Sequence, residues 1–168
     1  AGLPDVAGKV GGAAGELRQG VRDLRSLIVA IAPPRLHEEG LAAALGDLVS
    51  PLAARGIATE LHVDDEVDLA PATESLVYRT AQEALRNVIR HAQANHVDVS
   101  VTRADGLVRL DVGDDGVGFG PATMIGRQAG GHVGLHLLAE LAAEAGGRLD
   151  VDAAPGAGTH ILLEVPSR

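Results

Sequence analysis

Residues 74–93 read ESLVYRTAQEALRNVIRHAQ. Wound at roughly 100° per residue, this stretch sorts its side chains into two faces. Val77, Ala81, Ala84, Leu85, Val88, Ile89 and Ala92 share one broad arc, the kind that buries against a sheet. Glu83, Asn87, Arg90 and His91 fall together on the opposite side, at i, i+4, i+7 and i+8. Taken alone, an acid, an amide, a guanidinium and an imidazole in one stripe are what a solvated helix face ordinarily shows. Any case for chemistry at this stripe has to come from the rest of the chain.

After this helix come two hairpins. Val97 to Thr102 and Leu107 to Val112 flank the turn Ala104-Asp105-Gly106, and Arg148 to Ala153 and Thr159 to Val165 flank Pro155-Gly156-Ala157-Gly158. Between them lie a glycine-rich loop from Gly113 to Gly131 and a helix from about Gly134 to Ala145, closed by Gly146-Gly147. Strands that return mostly by hairpins, grouped with helices, predict a mixed sheet with helices on one face, an α+β two-layer sandwich. A regular doubly wound sheet fits poorly.

Ahead of the key helix, a heptad runs through Val10, Ala14, Leu17, Val21, Leu24, Ile28 and Ile31. Its 4–3 spacing makes a narrow bundle seam, and Pro33-Pro34 should stop it. A second helix is expected from about Glu38 to Arg55, with Leu41, Leu45, Leu48 and Leu52 on one face and Gly56 as terminator. Thr59 to Val63 then alternates like a strand, and Asp64 to Pro71 is an acidic connector. Three regions follow: an incomplete bundle at 1–32, a connector and first helix at 33–56, and the main domain at 57–168.

Composition excludes several functions. Hydrophobic content is 46%, yet Tyr78 and Phe119 are the only aromatics, so the core is aliphatic and base-stacking platforms for single strands are ruled against. A net charge of −9 speaks against a nucleic-acid surface. No cysteine means no disulfide and no thiolate metal site. Lys9 is the only lysine, so neither a P-loop nor a eukaryotic-type kinase lysine is available. With no transmembrane run or signal peptide, a cytoplasmic domain is expected, and a start at Ala1 rather than Met suits a fragment.

Two loops carry the functional argument. Asp114-Asp115-Gly116-Val117-Gly118 directly follows a strand, but Pro121 and a long polar loop intervene where a dinucleotide fingerprint would open a helix. A carboxylate is a poor neighbour for phosphate and a good acceptor for an exocyclic amine such as that of adenine. Gly130-Gly131-His132-Val133-Gly134-Leu135 opens the last helix, where free N–H groups and the dipole favour phosphate. Gly156-Ala157-Gly158-Thr159 reads on its own as a turn.

In order, Glu83-x3-Asn87-x2-Arg90-His91, Asp114-x-Gly116-x-Gly118, Gly131-x2-Gly134 and Gly158-Thr159 resemble the catalytic ATP-binding domain of bacterial sensor histidine kinases. The resemblance covers about residues 57–166, and each piece is weak while the combination is specific. This family shares its fold, the GHKL or Bergerat ATP-binding fold, with the ATPase domains of gyrase, Hsp90 and MutL. The stretch Leu-x3-Ile-Ala-Pro-Pro-x-Leu-x3-Gly-Leu, ending at Leu41, is similar to the NarL/DesK-type connector. There it joins the second helix of the dimerisation and phosphotransfer bundle to the ATP-binding domain.

The resemblance implies roles. Asn87 would ligate Mg²⁺, and Glu83 would orient or deprotonate the attacking group. Asp114 would accept from the adenine amine, with Gly116 and Gly118 shaping the base pocket. Phe119 to about His132 would form a lid, with Gly131, His132, Val133, Gly134 and Leu135 at the nucleotide. Arg90 and His91 would face the phosphates, with Arg90 replacing a frequent lysine, and Thr159 would bond near the base or α-phosphate. His37, in Leu36-His37-Glu38-Glu39, superficially resembles the phosphoacceptor stretch, but it follows two prolines and lies in the connector. The implied function is binding of Mg-ATP and transfer of its γ-phosphoryl group to a histidine outside this chain. A homodimeric full-length kinase and a response regulator are the implied partners, and membrane anchoring of the parent is left open. An anti-sigma-factor-type serine kinase of the same fold and a degenerate nucleotide-binding module without catalysis are the alternatives.

Overall fold

The computed structural model describes residues 34–64, 69–120 and 133–167, all within the compact unit Ala32–Arg168. The heptad seam at 10–31, Pro33, part of the acidic connector at 65–68, and the segment 121–132 lie outside the described residues.

Helix α1 spans Pro34–Ala53 and is broken at Gly40, where φ is 82° and ψ 174°. It opens at Pro34 rather than near Glu38, so the backbone is already helical at His37. Leu36, Leu41, Leu45 and Leu52 are buried, and Leu48 packs against the same core. The chain then turns at Gly56, whose N–H bonds the Ala53 carbonyl at 3.0 Å. Strand β1 follows at Ala58–Val63.

Helix α2 spans Pro71–Asn87, beginning three residues before the quoted stretch because Pro71 supplies a first-turn residue that needs no N–H partner. At Val88 the helix widens into a π turn, Val88–Ala92, which ends at Gln93 in the left-handed region, φ 52°. Val77, Ala81, Ala84, Leu85, Val88 and Ala92 are buried as the periodicity predicts. Ile89 is not: it is 38% exposed. The π turn bonds i to i+5 and advances each residue by a smaller angle, which carries Ile89 out of the buried arc.

Strands β2, His96–Ala104, and β3, Leu107–Asp114, form the first hairpin. Its two-residue turn has positive φ at both Asp105 (53°) and Gly106 (77°), matching the twist of the strands it joins. Helix α3, Val133–Glu144, leads to the second hairpin, β4 at Arg148–Ala153 and β5 at Thr159–Pro166. The sheet order is β1-β2-β3-β5-β4, with β1 parallel to β2 and every other pair antiparallel.

Alternate residues of the three central strands make the interface. Val97, Val99 and Val101 of β2, Val108, Leu110 and Val112 of β3, and Ile161, Leu163 and Val165 of β5 are all buried. Helix α2 packs on β3 and β5, α1 on α2 and β1, and α3 on α2, β4 and β5. The mixed sheet covered by helices is therefore the expected α+β sandwich. Truncating a residue such as Leu110 to Ala should cost about 2–5 kcal/mol, through lost transfer energy and the cavity left behind.

The opposite face of the sheet is polar. Glu164 on β5 is buried there between two arginines, accepting from Arg109 Nε at 3.0 Å and from Arg148 Nε at 2.7 Å. Those guanidiniums hold the Glu164 carboxyl below the usual carboxylate range. No described helix is long and apolar enough to cross a membrane.

Candidate functional site

The end of β3 positions the first functional group. Asp114 is the last residue of the strand and lies opposite Thr159, the first residue of β5. Its Oδ1 accepts the Gly116 N–H at 2.9 Å. Burial raises the Asp114 carboxyl above its ordinary value, against the opposing hydrogen bonds of Gly116 and Thr159. A group kept costly to ionise beside a cavity is a candidate for ligand contact.

Its neighbour has a different job. Asp115 Oδ1 accepts the N–H groups of Asn95 and His96 at 2.7 and 2.9 Å, closing the start of β2. Those bonds hold its carboxyl below the ordinary value. Of two adjacent identical acids, one faces the cavity and the other fastens the strand.

The glycines of this loop make room for backbone. A Cβ on Gly116 would stand 2.3 Å from the Ala92 carbonyl oxygen, and one on Gly158 would stand 1.8 Å from that of Asp114. Gly118 has φ +57° and a Cβ there would stand 2.0 Å from the Ala154 carbonyl oxygen, so both sterics and conformation require glycine. The resemblance has Gly116 and Gly118 shape a base pocket and the sequence alone reads Gly158 as a turn; in the structure all three let chain segments touch. Val117 N–H bonds the Ala92 carbonyl at 2.8 Å and Gly156 N–H bonds the Val117 carbonyl at 2.7 Å. The loop is thus clamped between the π turn and the β4–β5 loop.

Helix α2 and its π turn supply the second set of groups. Asn87, the last α-helical residue, and His91, in the π turn, line one cavity with Asp114, Gly118 and Thr159. Arg90 is exposed and does not line it. Glu83 lies one turn before Asn87 and is buried, 8% exposed, outside the cavity lining. Its Oε2 accepts from Arg86 Nη2 at 2.5 Å, and its Oε1 is buried with no hydrogen-bond partner among the described residues. The carboxylate rests against Gly134 in the first turn of α3, where a Cβ would stand 2.6 Å from Glu83 Cδ.

The cavity measures about 650 Å³, within the usual range for small-molecule sites. Its apolar walls are Ala84, Val88, Val117, Leu135, Leu149, Val151 and Ile161, with Phe119 at the edge of the described loop, and His136 and Asp150 add polar groups to the lining. Of the residues expected at a site, Asn87, His91, Asp114, Gly118, Leu135 and Thr159 meet in one cavity. Gly116 and Gly134 do not line it: Gly116 packs against Ala92 and Asp114, which do, and Gly134 packs against Glu83. Gly131, His132, the Val133 side chain and the lid from residue 121 onward lie outside the described residues.

Sequence reasoning missed Arg86, Asp115 and the wall residues of β4. Leu149 and Val151 were findable, because they alternate with Arg148, Asp150 and Asp152 on an edge strand.

Comparison with known proteins points to one family. Residues 72–168 match the family model described as histidine kinase-, DNA gyrase B-, and HSP90-like ATPase. The sensor histidine kinase NarS of Mycobacterium tuberculosis is 32% identical over 158 residues, covering 94% of this chain and 37% of that protein. The sensor histidine kinase LiaS of Bacillus subtilis is 31% identical over 145 residues, covering 86% and 39%. This chain spans less than two fifths of the length of either curated relative. Among solved structures, the histidine kinase domain from the Erythrobacter litoralis EL346 blue-light activated histidine kinase superposes with a TM-score of 0.60 at 25% identity. That match covers 76% of this chain and 61% of that one.

Proposed function

We propose a function from one premise: this chain belongs to the histidine kinase-, DNA gyrase B- and HSP90-like ATPase family. Within that family it is the ATP-binding catalytic portion of a two-component sensor histidine kinase. It binds Mg-ATP in the cavity beside Asp114, for transfer of the γ-phosphoryl group to a histidine outside the described domain. The full kinase acts as a homodimer and passes the phosphoryl group to a response regulator. The NarL/DesK-type subgroup is the one its connector sequence fits.

One observation carries the reading. A half-buried carboxylate, Asp114, stands in a mainly aliphatic cavity whose other polar groups are the Asn87 amide, the Thr159 hydroxyl, the His91 and His136 imidazoles and Asp150. Aliphatic walls accept a flat heterocycle, and a carboxylate acceptor selects one carrying an exocyclic amine. Adenine has both features.

The polar groups fit the remainder of the nucleotide. Asn87 offers an amide oxygen, and Mg²⁺ takes few protein ligands because phosphate oxygens and water complete its octahedron. Bound Mg-ATP supplies the transferable group and charge neutralisation. The chain holds the base at Asp114, presents His91 to the cavity, and keeps the first turn of α3 beside Glu83. Catalysis by such a site is mainly positioning.

The test is calorimetric titration of the chain with Mg-ATP, Mg-ADP and Mg-GTP. ATP and ADP should bind, and GTP, which has a carbonyl where adenine has its amine, should bind far more weakly. In Asp114→Ala, losing a bond to a charged acceptor should cost about 1.5–3 kcal/mol, roughly tenfold to a few hundredfold in affinity. Unchanged affinity in that variant, with the fold intact by circular dichroism, would reject the adenine role.

A further inference from the structure

The face of the sheet turned away from the helices carries a second cluster of ligating groups. Glu60 on β1 and Asp98 on β2 are direct partners in the parallel ladder. His96 lies two residues before Asp98, on the same side of the strand, and its Nε2 is 2.9 Å from Asp98 Oδ1. One donor atom from each of these three residues lies within 4.8 Å of the others. The three residues are fully or partly exposed, and the only basic group paired with either carboxylate among the described residues is the His96 ring itself.

We propose that Glu60, His96 and Asp98 form a binding site for a divalent first-row transition ion, of the Zn²⁺ or Co²⁺ class. One imidazole nitrogen with two carboxylate oxygens is a borderline donor set that suits these ions, whereas Mg²⁺ and Ca²⁺ select oxygen alone. A tetrahedral ion with bonds near 2.1 Å spaces its donors roughly 3.4 Å apart, so small rotations of exposed side chains close the observed spread. Neighbouring backbone hydrogen bonds of the parallel ladder fix the strand positions from which the donors project. Water completes the coordination on the open side. Two carboxylates beside one imidazole leave a local negative charge whether or not the ring is protonated, and a dication offsets it.

The experiment is calorimetric titration of the nucleotide-free 168-residue chain with Zn²⁺, with Co²⁺ absorption as a second probe and Mg²⁺ as comparison. The expected result is one specific Zn²⁺ equivalent that is weakened at least about 10–100-fold in His96→Ala, since even indirect ligand support is worth that much. A Glu60→Gln/Asp98→Asn variant should show the same loss, and it carries the test if His96→Ala does not fold. Zn²⁺ isotherms that are the same in wild type and folded variants would overturn the site. So would the absence of Zn²⁺ binding, or equally tight binding of Mg²⁺.

Discussion

The Glu83 carboxylate fills the space that a side chain on Gly134 would need, with Oε1 2.7 Å from the position of a Cβ there. Helix α2 and the first turn of α3 therefore meet at a carboxylate with one oxygen tied to Arg86 and the other without a hydrogen-bond partner among the described residues. An unpaired buried acceptor costs stability and persists where something else is gained.

That contact predicts a coupling. Gly→Ala gains up to about 1 kcal/mol in propensity in a helix interior and no more than that in the first turn, where Gly134 lies, while overpacking costs about 1–3 kcal/mol. Gly134→Ala should therefore be net destabilising in the wild-type background. In Glu83→Ala the space is cleared, and the same change should be neutral or stabilising. Thermal or denaturant unfolding of the four proteins in this cycle gives the coupling directly. Additive effects would show that the two residues do not press on one another.

Asp114 predicts an opposition between stability and binding. Its folded-state pKa is raised by burial, above the ordinary 3.8. Its contribution to stability is therefore fully present below that value and is lost as pH rises through the raised folded value. Asp114→Asn removes the ionisation while keeping an oxygen for the Gly116 N–H. Near pH 3 the variant and the wild type should differ least, and the variant should gain relative stability as pH rises toward neutrality. Its ATP affinity should fall. A melting-temperature difference that does not change with pH would show that Asp114 pays no burial penalty.

Glu164 runs the other way. Arg109 and Arg148 hold its folded pKa below the ordinary carboxylate value, so its stabilisation is present above that value and is lost as pH falls through the folded one. Glu164→Gln should lower the melting temperature at neutral pH, and the deficit should shrink on acidification. Acid titration of both proteins by far-ultraviolet circular dichroism checks this. A deficit that persists unchanged at low pH would assign the effect to packing rather than charge.

The two hairpins were legible because alternation and the Asp105-Gly106 turn are local signals, and local signals also marked α2 and the Asp114 loop. The π turn was not. It forms where the Ala92 carbonyl meets Val117 N–H and Gly116 leaves room, a contact between distant segments that no local periodicity encodes. Ile89 and Arg90 consequently sit where a continuous α-helix would not put them. The sequence likewise could not divide Asp114 from Asp115, since the end of β3 decides which acid turns toward the cavity. Arg86 was missed because its spacing from Glu83 sets it off the stripe that drew attention, although i, i+3 is an ion-pairing distance.

The last prediction separates the two central residues of α2. Asn87 lines the cavity, whereas Glu83 stands one turn earlier and outside its lining. If Asn87 acts through the metal, Asn87→Ala should weaken Mg²⁺-dependent nucleotide binding and abolish phosphoryl transfer. Glu83→Gln keeps shape but removes the charge that pairs with Arg86 and most of the basicity. Because Glu83 does not reach the cavity wall, that change should leave nucleotide affinity nearly intact. It should slow transfer by about 10²–10⁴-fold if Glu83 is a general base. A neutral imidazole is already nucleophilic, so an orienting role predicts the smaller end of that range. The measurement is a pair: nucleotide affinity of each variant by calorimetry, and phosphoryl transfer in the reconstituted full kinase. Full transfer activity in Glu83→Gln would reduce that residue to a support for Gly134 and the first turn of α3. Unimpaired Mg²⁺-ATP binding in Asn87→Ala would undo the metal assignment, whatever Glu83 does.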